Sequence, residues 1–81
     1  MQQENKMVTV KQAFEIASRN SRGITLNNNA YDCGDNWVFD YGGNEEITGF
    51  CPVMVNKTDG SVSLMDFFES YKLIDFPRVM A

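Results

Sequence analysis

Apolar positions recur along this chain in two rhythms. Val10, Ala13, Phe14 and Ala17 stand at i, i+3, i+4 and i+7, one stripe of a helix, and Ile16 widens it. Thr9 precedes the stripe and Gln12 lies three residues on, the spacing of a capping box. Together they predict a helix from about Val10 to Asn20, with Gly23 as a nearby stop. The rhythm then shortens to two. Trp37-Val38-Phe39-Asp40-Tyr41 is aromatic and β-branched with alternating character, and reads as a strand. Phe50 to Asn56 reads as a second, with Pro52 near its start or at an edge. Lys57-Thr58-Asp59-Gly60 reads as a hairpin loop with glycine where φ is positive, and Ser61 to Leu64 as the returning strand. Asp66 and Glu69 repeat the capping spacing. Phe67, Phe68, Tyr71 and Leu73 or Ile74 then supply an apolar helical face, which Pro77 ends.

The expected fold is therefore α+β, one domain over residues 1–81. Its order is an N-terminal helix, a three-stranded antiparallel β-meander and a short C-terminal helix, with the helices on one face of the sheet. Residues 1–8 are polar and expected to fray. Residues 21–35 follow neither rhythm. Ile24 and Leu26 alternate around Thr25, while Asn27-Asn28-Asn29 and Asp32-Cys33-Gly34-Asp35 are turn signals.

Alternation assigns sides. Trp37, Phe39, Val53, Val55, Val62 and Leu64 are expected beneath the helices. Val38, Phe50 and Met54 then fall on the far face beside Asp40. A sheet covered on one side usually has a polar outer face. The three apolar residues read either as a partner or self-association surface, or as a face that bulges re-register or that residues 21–31 cover.

Charge narrows the partners. The formal charge is −4, from 7 basic and 11 acidic residues. The basic residues form no stripe, which disfavours nucleic acid. Asp32, Asp35, Asp40, Glu45 and Glu46 lie in a stretch without Lys or Arg. It reads as a solvated loop edge or as a docking edge for a basic protein. The spacing does not fit a calcium loop, and paired carboxylates without a cleft make poor acid–base machinery. Apolar runs are too short to span a membrane, and the N-terminus lacks a signal-peptide core. The expected location is the cytoplasm, where Cys33 and Cys51 stay reduced, although a disulfide between them is open.

Catalytic chemistry is not expected. With no histidine, neither a Cys-His nor a Ser-His-Asp system can be built, and the commonest zinc ligand is missing. No metal or cofactor is expected. Cys51 reads as a small buried apolar residue. Cys33 sits in a turn signal, where a reactive thiol is the alternative. Gly42-Gly43 follows a strand without opening a helix, so it reads as turn chemistry rather than a phosphate cradle. Trp37 reads as packing or as a ligand platform.

The segments "AFEIAS", "DCGDNWVFDYG", "GFCPVMVNKTDGSV" and "MDFFESY" together resemble the YrhB-like immunity protein 35 family of bacterial polymorphic-toxin systems. The family has an aromatic W-x-F strand, here Trp37 and Phe39. A G-x-x-P-V-x-V strand follows, here Gly49, Pro52, Val53 and Val55, and then a D-G or T-G hairpin, here Asp59 and Gly60. The resemblance covers roughly residues 10 to 73, and its motifs are short and mostly structural. It implies a non-enzymatic protein that blocks a cognate toxin, and it carries over no contact residues. The other reading is a self-associating structural or regulatory module of phage or mobile-element origin, dimerising through Val38, Phe50 and Met54.

Overall fold

The capping box closes as the spacing requires. In the computed structural model, which describes residues 7–21, 23–43, 51–66 and 68–81, helix α1 runs Val10–Arg19. The Thr9 hydroxyl accepts from the Gln12 N–H at 3.1 Å, and the Gln12 side chain accepts from the Thr9 N–H at 2.9 Å. Thr9→Ala is expected to cost about 1 kcal/mol, the usual loss of an N-cap, read as a shift in the urea midpoint. An unchanged midpoint would mean that tertiary packing alone sets the helix start.

Among the described residues five strands follow: β1 Asn29–Cys33, β2 Asn36–Phe39, β3 Val53–Asn56, β4 Val62–Leu64 and β5 Arg78–Met80. All pair antiparallel, in the order β4-β3-β2-β1-β5. The expected meander is β2-β3-β4, here the middle and one edge of a wider sheet. The residues that fitted no rhythm supply β1, and the chain end supplies β5. β1 is built from Asn29, Ala30, Tyr31, Asp32 and Cys33, mostly poor strand formers, and is held in place by partners on both sides. Asn27 begins it with a side-chain turn, its Oδ1 accepting from the Asn29 N–H at 2.9 Å. Gly34, at φ 76°, turns β1 back into β2, and Gly60, at φ 75°, closes the β3–β4 hairpin as its spacing predicts.

The helix packs on β3, β2 and β5. Ala13 and Ala17 let it sit close, over Ala30, Phe39, Val53 and Val55, with Leu26 sealing one end. Phe14 meets Phe39 with ring centroids 5.6 Å apart, tilted by 57°. Val62 and Leu64 share this face by register, but α1 does not roof β4, and Leu64 is 63% exposed. The expectation that both lie beneath a helix is corrected. Residues 1–6 lie outside the described part. Val8, placed in the fraying segment, is instead tied to the sheet: its N–H donates to the Lys57 carbonyl at 2.6 Å.

The one-sided roof is also corrected. The C-terminal segment forms a 3-10 helix, Glu69–Asp75, rather than an α-helix. Asp66 does not cap it through its side chain. Its carbonyl accepts from the Glu69 and Ser70 N–H groups, at 3.0 and 3.1 Å. Leu73 is the buried residue of this turn. It borders Tyr31, Asp40 and Pro52. Alternation puts Tyr31 and Asp40 on the side away from Phe39 and α1. The 3-10 helix therefore lies on the far face, the face on which Val38 is fully buried. Pro77 ends the helix as expected, and its carbonyl accepts from the Asp32 N–H at 2.9 Å as the chain enters β5.

Candidate functional site

The acidic stretch does not form one edge. β1 and β2 alternate, so its carboxylates divide between two faces. Asp32 lies across from Trp37 on the α1 side. Asp40, one residue past Phe39, points to the 3-10 helix side. Asp35 sits exposed in the β1–β2 turn, where its carbonyl accepts from the Lys57 N–H at 2.9 Å. Glu45, Glu46 and Phe50 lie outside the described residues. Of the far-face set, Val38 is sealed and offers no contact to a partner, while Met54 is half-buried.

Each inward carboxylate meets a cation from a distant part of the chain. Lys57 Nζ is 2.5 Å from Asp32 Oδ1 and 4.1 Å from the centre of the Trp37 ring, with its side chain only 13% exposed. Trp37 Nε1–H in turn donates to the Val8 carbonyl at 3.0 Å. This cluster ties the N-terminal segment, β1, β2 and the β3–β4 hairpin together. Trp37 is thereby committed to packing and to Lys57.

The Asp32 carboxyl is held below its ordinary value of 3.8, chiefly by the hydrogen bond from Lys57 and then by the Gly34 N–H. A depressed folded pKa stabilises the fold at pH values above the unfolded one. That contribution is lost as the pH falls through the lowered value. Asp32→Asn is expected to cost about 1 kcal/mol at neutral pH, after allowance for its partial exposure. The variant should lose less stability than the parent on acidification below pH 3.8. Parallel urea midpoint curves from pH 7 to 2.5 would rule out the ion pair as the cause.

The second cluster lies on the opposite face. Arg78 packs over Tyr31, its Cζ 4.5 Å from the ring centre, and its Nη2 stands 3.8 Å from Asp40 Oδ1. The Tyr31 hydroxyl donates to Asp40 Oδ2 at a long 3.5 Å. Asp40 Oδ1 is buried with no hydrogen-bond partner. Burial, then the Asp40 charge, raises the Tyr31 pKa above 10.0, so the phenol stays a donor. Beside this pair a cavity of about 470 Å³ opens between sheet and 3-10 helix, bounded by Tyr31, Asp40, Tyr41, Tyr71, Leu73 and Ile74. A second groove, of about 420 Å³, runs between α1 and the β3–β4 hairpin, with Gln12, Glu15, Arg19 and Asp59 along it.

Cys33 belongs to β1, not to a turn, and is half-buried. Burial, then Asp32, raises its thiol above 9.0, which disfavours the reactive thiolate. Its reaction with a disulfide reagent at pH 8 is expected to be slower than that of a free thiol, measured against Cys33→Ser. A faster reaction would restore the reactive-thiol reading. Cys51 is half-buried, and no disulfide joins it to Cys33.

Nothing in the local sequence marks Lys57, Tyr31 or Arg78 as site residues. Lys57 follows the second strand by one residue, which places it at the sheet end. Arg78-Val79-Met80 after Pro77 is too short a run for its pattern to reveal β5. Among the described residues, no group of three or more His, Cys, Asp or Glu could hold a metal. None of the described helices is long and apolar enough to cross a membrane.

No protein-family model matches the chain, no curated protein matches it, and no solved structure matches its fold.

Proposed function

We propose that this chain is a binding protein that occupies a basic protein partner, of the immunity type that neutralises a cognate bacterial toxin in the cytoplasm. The observation that carries the reading is a solvent-facing apolar ridge on an acidic molecule. Phe68, Tyr71 and Ile74 stand at i, i+3 and i+6 along the 3-10 helix, where residues three apart line one side, and all are exposed. The formal charge is −4. Exposed apolar residues in a row mark interaction surfaces, and opposite charge speeds encounter with the partner. The motif resemblance around Trp37, Phe39, Pro52 and Gly60 supports the same class.

The test is genetic and then physical. Expression of the product of the adjacent open reading frame alone is expected to stop growth, and co-expression of this chain to restore it. Ile74→Asp should abolish rescue while the purified variant keeps its circular dichroism spectrum. An adjacent product that is harmless, or rescue unaffected by Ile74→Asp, would sink the reading.

A second reading draws on the sheet edge. β4 ends the sheet, with Val62 and Leu64 exposed, and an open apolar edge can pair with another copy. Sedimentation at two concentrations decides it, since a strict monomer rejects self-association.

A further inference from the structure

We propose that the cavity between the sheet and the 3-10 helix is a receptor for one lysine or arginine side chain of a protein partner, with Asp40 as its counter-ion. The proposal rests on the binding-protein reading for the source of the cation, and on geometry for the site itself. The lining combines a single charged group, the Asp40 carboxylate, with Tyr31, Tyr41, Tyr71, Leu73 and Ile74. That is the chemistry of an alkyl cation: aromatic and aliphatic walls for the stem, a carboxylate for the head.

Asp40 is under-satisfied. Its buried Oδ1 has only the Arg78 guanidinium, 3.8 Å away, and its Oδ2 only the Tyr31 hydroxyl at 3.5 Å, both at the outer limit of a polar interaction, so Oδ2 is the oxygen left for a further donor. A carboxylate so held gains from a further donor more than one already saturated. The protein shows the same recognition twice within itself, Lys57 between Trp37 and Asp32 and Arg78 between Tyr31 and Asp40. Arg78 does not fill the cavity, because it approaches from the β5 side and donates to the Asn29 carbonyl at 3.3 Å. Ile74 and Tyr71 belong to the proposed apolar ridge, so a partner seated on the ridge would bring a basic side chain to the cavity mouth.

The experiment titrates the isotopically labelled full chain with Nα-acetyl-lysinamide, Nα-acetyl-argininamide and the neutral isostere Nα-acetyl-citrullinamide, following amide shifts. The two cations are expected to give saturable shifts centred on Tyr31, Asp40 and Leu73, with citrullinamide at least about tenfold weaker. Asp40→Asn should weaken cation binding by about tenfold. Should Asp40→Asn fail to fold, Tyr71→Ala removes an exposed wall and should weaken binding several-fold. Equal response to citrullinamide overturns the proposal. So does an absence of saturation, or a map centred on the α1 groove. Cations that fail while the neighbouring product is still neutralised would sink the cavity and leave the binding reading. Cations that bind while no toxic neighbour exists would sink the toxin reading and leave the site.

Discussion

Phe39→Ala is expected to remove most of the domain's stability, leaving at most about 2 kcal/mol at 25 °C. Phe39 is fully buried and is the largest side chain in the core. It lies under Phe14 and beside Ala13, Ala17, Val53 and Val55. Large-to-small replacement at such a site costs about 3–5 kcal/mol. A domain of this size holds stability near the low end of about 5–15 kcal/mol. The gap would be lined by Phe14, Ala13, Ala17, Val53 and Val55, and the two alanines have no longer side chain with which to fill it. Phe39→Leu keeps most of the volume and should cost under about 1.5 kcal/mol. Urea titration by circular dichroism reads both. A cooperative transition for Phe39→Ala within about 1 kcal/mol of the parent would mean that the α1 face does not hold the fold together.

That core was readable because its signals agree. The Val10–Ala17 stripe, the Thr9–Gln12 box and the alternation in Trp37–Phe39 and Val53–Val55 each name the same face. The edges were not readable. β1 has Asn, Asp and Ala where a strand should carry β-branched residues, and its existence depends on hydrogen bonds from β2 and β5 that only the assembled sheet supplies. β5 is three residues long, below the length at which alternation separates from chance. Along the chain the carboxylates form one acidic stretch. Folding splits it by pleat and brings Lys57 and Arg78, both remote in sequence, onto Asp32 and Asp40. The cavity beside Asp40 was hidden for the same reason, since its walls come from β1, the end of β2 and the 3-10 helix.

The C-terminal turn offers the sharpest test of the two-sided sheet. Phe68, Tyr71 and Ile74 carry as much apolar character as Leu73, so the sequence alone does not say which residue docks. In a 3-10 helix residues three apart eclipse, which puts those three on one side and Leu73 on another. Leu73 is 4% exposed against 84% for Ile74. Leu73→Ala is expected to cost about 2–4 kcal/mol and to loosen the cover over the far face. Ile74→Asp should stay within about 0.5 kcal/mol of the parent, as surface substitutions do. Binding of a dye that reports exposed apolar surface should rise for Leu73→Ala alone. The β5–β1 pairing, which follows Pro77, should keep the chain end in the sheet in both variants. If the two substitutions cost the same, the 3-10 helix does not roof the far face. The proposed cation receptor would then lose one wall.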